Sequence, residues 1–145
     1  MNEIEATLGI FLASFFSATI LPGHSELALT AFISQKKHSI FLLITFASLG
    51  NILGSLVNWY LGFKFEKFKN KKWFPLTNLQ MNNASSLFIK YGKWSLLLSW
   101  LPFVGDPLTL VAGILRMPLI SFIFIVSIAK ILRYIFVSLI ALNIF

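Results

Sequence analysis

Residues 15–29, Phe-Phe-Ser-Ala-Thr-Ile-Leu-Pro-Gly-His-Ser-Glu-Leu-Ala-Leu, decide the fold. The apolar run around them begins near Thr7, breaks at Pro22-Gly23-His24, and resumes from Ser25 to Ser34. A helix needs about 20 residues to cross a roughly 30 Å hydrocarbon core. Arms of about 15 and 10 residues are too short for two crossings. Pro22 withdraws a backbone donor and Gly23 permits the chain to reverse. The expectation is a re-entrant helical hairpin over 7–34, entering and leaving the membrane on one side. Broken backbone at membrane depth is tolerated only inside protein or beside a water-filled cavity, so the break marks a candidate site.

The composition agrees with a membrane chain. Of 145 residues 57% are hydrophobic and 12% charged, with a mean hydropathy of +0.83. Soluble domains carry roughly twice that share of charge, about 25%. There is no cysteine, which excludes disulfides, thiolate metal sites and thiol chemistry. The net charge of +7 does not point to nucleic acid, because most cations sit in one hydrophilic segment between apolar runs. The first run has Glu3 and Glu5 before it and no Lys or Arg. It also lacks a small-residue cleavage site, so it reads as a permanent part of the protein rather than a signal peptide.

Downstream, 39–62 is one uninterrupted apolar stretch, long enough to span. The segment 63–92 holds a basic loop with Lys64, Lys67, Lys69, Lys71 and Lys72, then an interfacial helix over Ala84–Tyr91, with Trp73, Tyr91 and Trp94 at headgroup level. Residues 94–115 repeat the opening pattern: two short apolar arms around Pro102-Phe103-Val104-Gly105, then Asp106-Pro107. A second spanning stretch, 117–143, contains Lys130 and Arg133. Pro22 and Pro102, like Glu26 and Asp106, are 80 residues apart, and the same offset sets Gly50 on Lys130. A hairpin plus one span, twice over, makes an inverted repeat, an arrangement typical of transporters. The expected architecture is therefore all-α and integral to the membrane. The basic centre places that segment in the cytoplasm and both termini outside.

Four charges fall within the apolar segments: Glu26, Asp106, Lys130 and Arg133. Each costs roughly 2.5–3.5 kcal/mol at the bilayer centre unless paired or solvated. They are expected to face inward and toward one another. Ser25-Glu26 and Asp106-Pro107 each begin a helix, where free N–H groups and the dipole favour an anion. Burial is expected to raise the affinity of both acids for a proton, as a coupling carboxylate requires. Lys130, Arg133 and Tyr134 share a helix face, offering a phosphate one bidentate and one point-charge partner. Read structurally, the same residues are helix caps and dipole partners, with the cations neutralising the acids.

The first span carries Asn51, Ser55 and Asn58 on one face, beside Gly50 and Gly54 at small-xxx-small spacing. The glycines, with Gly62, predict close helix packing. Asn51 and Asn58 line a polar path or hydrogen-bond between helices. His24 is either a polar turn residue or a contact for substrate or proton. The two histidines and the acids form no catalytic cluster, so neither an enzyme nor a metal or other cofactor is expected.

Residues 15–29, 50–62 (GNILGSLVNWYLG), 96–118 (LLLSWLPFVGDPLTLVAGILRMP) and 130–134 (KILRY) resemble the DedA, or SNARE-associated Golgi protein, family, especially its short YqaA-like branch. The resemblance implies two re-entrant hairpins facing each other in the bacterial inner membrane, in a multi-pass protein. It further implies translocation of lipid-linked phosphates, notably undecaprenyl phosphate, at the expense of a proton or sodium gradient. The family's first-hairpin carboxylate maps onto Glu26, and its Gly-x-x-x-Gly span onto Gly50, Gly54 and Gly62. Larger members have arginines around the second hairpin's proline, where this chain has Ser99 and Gly105. Lys130 and Arg133 are expected to supply that charge from another helix. The expected partners are membrane lipids, chiefly an anionic lipid phosphate, a proton or sodium ion, and a second copy in a homodimer. The alternative expectation is a non-transporting protein that organises lipids or partner proteins in envelope homeostasis.

Overall fold

The computed structural model describes residues 2–19, 24–65, 77–100 and 105–144. Helix α1, Glu3–Thr19, begins four residues before the apolar run. Its start is a reciprocal cap. Asn2 Oδ1 accepts from the Glu5 N–H at 2.7 Å, and the Asn2 N–H donates to Glu5 Oε2 at 3.2 Å. Two otherwise orphaned donors are thereby satisfied. Helix α2, His24–Ser34, packs against α1. The expected breaks at Pro22, Gly23 and Pro102, and Lys67, Lys69, Lys71, Lys72 and Trp73 of the basic loop, lie outside the described residues.

Helix α3 runs Ile40–Phe63 and, later in the chain, helix α6 runs Leu119–Ile144. Their 24 and 26 residues, at a rise of 1.5 Å per residue, extend about 36 and 39 Å, enough to cross a bilayer core. Both are apolar enough to do so. Their outward faces are largely hydrocarbon: Leu49, Leu53, Val57 and Tyr60 on α3, and Phe124, Ile128, Leu132 and Ile135 on α6. That spacing of three to four residues is one helical stripe.

Helix α4, Asn78–Tyr91, starts six residues before the expected interfacial helix. A capping box sets this start: the Gln80 N–H donates to Thr77 Oγ1 at 3.2 Å, and the Thr77 N–H to Gln80 Oε1 at 3.0 Å. Gly92, at φ 65°, ends it. A 3-10 helix follows over Gly92–Trp100, then α5 over Gly105–Ile114, almost wholly buried. The turn into α6 bonds the Met117 N–H to the Ala112 carbonyl and the Arg116 N–H to the Gly113 carbonyl, both at 3.0 Å. This is the double bond pattern that closes a helix end, with Arg116 in the left-handed position at φ 58°. Among the described residues there is no β-strand.

The chain forms two compact units, Met1–Gly54 with Lys130–Phe145, and Ser55–Ala129. The core of the first gathers Ile10, Leu29, Ile33, Leu43, Ala47, Tyr134 and Ala141. That of the second gathers Leu96, Leu108, Val111, Ala112, Phe122 and Val126. Within each, glycine brings backbones together. A methyl group at Gly50 would lie 2.3 Å from the Phe11 carbonyl oxygen, and one at Gly54 2.6 Å from Ala18 Cβ. In the second unit α3 and α5 meet through a reciprocal pair: a methyl at Gly62 would lie 2.0 Å from the Leu110 oxygen, and one at Gly113 2.0 Å from the Trp59 oxygen.

Gly50→Ala and Gly113→Ala each lower unfolding stability in micelles by roughly 1–3 kcal/mol, the cost of overpacking. Gly9→Ala meets only the Phe32 ring, Cζ at 3.5 Å and Cε2 at 4.0 Å, and raises it by about 0.5–1 kcal/mol, the helix preference for Ala over Gly. Thermal unfolding of the three variants side by side checks both statements.

Candidate functional site

In the first unit the site is built where α6 lies against the first turn of α2. Arg133 and Tyr134 are successive residues of α6, about 100° apart around its axis, and each reaches a different side chain of that turn. The Arg133 guanidinium is ion-paired with the Glu26 carboxylate; their side chains are 8% and 23% exposed. The Tyr134 hydroxyl donates to Ser25 Oγ at 2.8 Å. It accepts in turn from Asn51 Nδ2 of α3 at 3.0 Å, and that amide also reaches the Ser14 carbonyl of α1 at 3.3 Å. Four helices are thus joined through one buried phenol. Lys130 lies one turn before Arg133 on α6, wholly buried.

The guanidinium has five donors in a planar fork, more than one carboxylate can take up. It can therefore hold a second anionic oxygen while keeping Glu26, or exchange one for the other. The first turn of α2 adds free backbone N–H groups and the positive end of the helix dipole. Among the described residues no three of His, Cys, Asp and Glu are grouped as metal ligands.

The remaining predicted residues are placed separately. Asp106 lies in the first turn of α5 in the second unit, where Thr109 Oγ1 donates to its backbone carbonyl at 2.6 Å. Asn58 Nδ2 donates to the same Thr109 oxygen at 3.3 Å. Gly105 opens α5, and a methyl there would lie 2.2 Å from the Ser99 carbonyl oxygen. His24 begins α2, and its side chain is outside the described residues. Asn51 and Asn58, expected as one polar face, are both buried and serve different units.

Sequence reasoning assigned no role to Ser25 beyond capping, and none to Thr109 or Gly113. Tyr134 was placed on the face of Lys130 and Arg133 without a bond of its own. A phenol in mid-span needs a partner, which was the available signal.

The VTT domain matches residues 21–142. The chain belongs to the DedA family. This DedA protein is 38% identical to "Inner membrane protein YqaA" of Escherichia coli (strain K12) over 138 residues, 95% of this chain and 92% of that one. It is 35% identical to an uncharacterized protein of Haemophilus influenzae over 133 residues, 87% of this chain and 81% of that one. It is 27% identical to "Undecaprenyl phosphate transporter A" of Staphylococcus aureus over 112 residues, 71% of this chain and 55% of that one. No solved structure matches the chain. With two apolar membrane-length helices and relatives named for the inner membrane, the chain is a bacterial inner membrane protein.

Tyr134→Phe strands the Ser25 hydroxyl and one Asn51 donor. It lowers stability by about 1–2 kcal/mol, whereas Tyr60→Phe on the exposed face changes it by less than about 0.5 kcal/mol. Chemical unfolding in micelles measures the difference.

Proposed function

We propose that this DedA protein translocates a lipid-linked phosphate, of the polyprenyl phosphate type, using a proton or sodium gradient. The observation that carries the reading is the buried Arg133–Glu26 pair at the first turn of α2. A phosphate headgroup offered to Arg133 competes with Glu26 for the guanidinium fork, with Lys130 adding a second positive charge on the same helix. Glu26, released from Arg133, takes up the coupling proton or cation, so loading of lipid and loading of ion are linked. Asp106 is the corresponding coupling acid of the second unit. The cycle makes and breaks no covalent bond, and the protein is read as a transporter rather than an enzyme. The undecaprenyl phosphate transporter named among the relatives supports the substrate class.

The re-entrant hairpins and the inverted repeat belong to the same proposal. Their support is the make-up of the two units: α1 and α2 share the first with the start of α3 and the end of α6, and α4, the 3-10 helix and α5 share the second with the start of α6 and the end of α3. Exchanging the two copies of the repeat, with the 3-10 helix and α5 standing for α1 and α2, exchanges one list for the other, α4 apart.

The test is translocation of labelled polyprenyl phosphate in proteoliposomes under an imposed proton or sodium gradient. Wild type moves the lipid. Arg133→Gln, reconstituted to the same level in folded form, is slower by about 10- to 100-fold, the worth of one charge-assisted contact to phosphate. Glu26→Gln moves lipid without responding to the gradient. Absence of movement by wild type under every gradient, or equal rates for all three proteins, would overturn the reading. In the second case the charges only hold helices together, as in a protein that organises lipids or partners.

A further inference from the structure

The second unit has a groove that the proposed transport cycle does not use. Its volume is about 300 Å³, and it is lined by Lys93 and Trp94 of the 3-10 helix and by Ile120, Ser121, Phe124 and Ile125 of α6. Ile120, Phe124 and Trp94 are 85%, 65% and 58% exposed, so no described part of the chain covers it. The α6 residues occupy the first two turns of a helix long enough to cross the bilayer. The groove therefore lies within about 10 Å of a membrane surface, at the boundary of headgroups and acyl chains.

Its chemistry is graded in the same sense as a phospholipid. Apolar side chains line most of it, the Ser121 hydroxyl offers a hydrogen bond, and the Lys93 ammonium stands 5.4 Å from the centre of the Trp94 ring. Among the described residues no acid lines the groove and no carboxylate pairs with Lys93. Lys90 sits three residues earlier, its ammonium 5.3 Å from the Tyr91 ring. One cation resting on an aromatic face, Lys93 on Trp94, thus rims one apolar slot, the pattern of a headgroup-level anchor. A volume of about 300 Å³ is at the small end for ligand pockets, which suits a segment of one acyl chain rather than a whole lipid.

From the Lys93–Trp94 rim and the apolar slot beneath it, we infer that this groove binds one anionic glycerophospholipid, its phosphate on Lys93 and an acyl chain along Phe124 and Ile125. The lipid is a resident ligand of the second unit, independent of any lipid that the protein transports.

The experiment is native mass spectrometry of the purified protein in detergent, titrated separately with phosphatidylglycerol and phosphatidylcholine. Wild type retains one phosphatidylglycerol and binds phosphatidylcholine several-fold more weakly. Lys93→Gln, a change at an exposed residue, weakens phosphatidylglycerol roughly fivefold, as expected for one basic group at a membrane surface, and leaves phosphatidylcholine unchanged. Ser121→Phe fills the slot and removes both, with circular dichroism confirming that the variant is folded. Arg133→Gln leaves phosphatidylglycerol binding intact, which separates this site from the transport reading. Equal affinity for the two lipids, or no effect of Lys93→Gln, would overturn the inference. So would displacement of phosphatidylglycerol by inorganic phosphate with no loss on filling the slot, which would indicate a bare anion site.

Discussion

The constraint on which the first unit depends is the lack of water to solvate a guanidinium within a membrane-crossing helix. Arg133 is nine-tenths buried in α6, a predominantly apolar helix whose one other charged residue is Lys130. Left alone there, the charge would cost several kcal/mol. Glu26 offsets that cost, and in doing so it ties the first turn of α2 to α6. The Tyr134 hydroxyl makes a second tie one residue along, to Ser25, and extends it through Asn51 to α3 and α1. A lipid environment supplies no competing donors, so these few polar bonds fix helix register that dispersion forces alone leave soft.

Close packing then does what hydrophobic burial cannot do among helices already surrounded by hydrocarbon. Gly50 and Gly54 let α3 approach α1, and Gly62 with Gly113 let α3 approach α5. The side chains around them are correspondingly short: Ser14, Ser17 and Ala18 are buried on α1, and Ala47, Ser48 and Ser55 on α3. Bulk is placed on the lipid face instead. One helix, α3, therefore carries both kinds of contact on its inner side, amide and glycine, and contributes to both units.

Much of this was legible before any coordinates. Hydropathy and length locate α3 and α6 within one to two residues, and the GxxxG spacing points to the face of α3 that packs. The cost of a buried charge groups Glu26, Asp106, Lys130 and Arg133 as expected partners without saying which acid meets which base. What was not legible depends on pairings distant in sequence. Tyr134 and Ser25 are 109 residues apart, and no local pattern says that one faces the other. Gly113 has no glycine four residues to either side and acquires its role only from Gly62. Two starts were missed for a different reason. The Asn2–Glu5 and Thr77–Gln80 caps lie in polar stretches, where a reading led by hydropathy begins each helix too late. The 3-10 stretch at Gly92–Trp100 was hidden because a short apolar run has no periodicity to read.

The central claim is that Arg133 and Glu26 stabilise the fold as a pair, not as two independent residues. A double-mutant cycle with Glu26→Gln, Arg133→Gln and the double variant, followed by unfolding in lipid-detergent micelles, tests it most directly. Each single change leaves a charge without its partner and costs roughly 3 kcal/mol, the lower end for a broken buried pair because Glu26 keeps 23% of its exposure. The double variant, with neutral amides facing each other, is more stable than the sum of the single losses by about 1–3 kcal/mol. Strict additivity of the two losses would contradict the account.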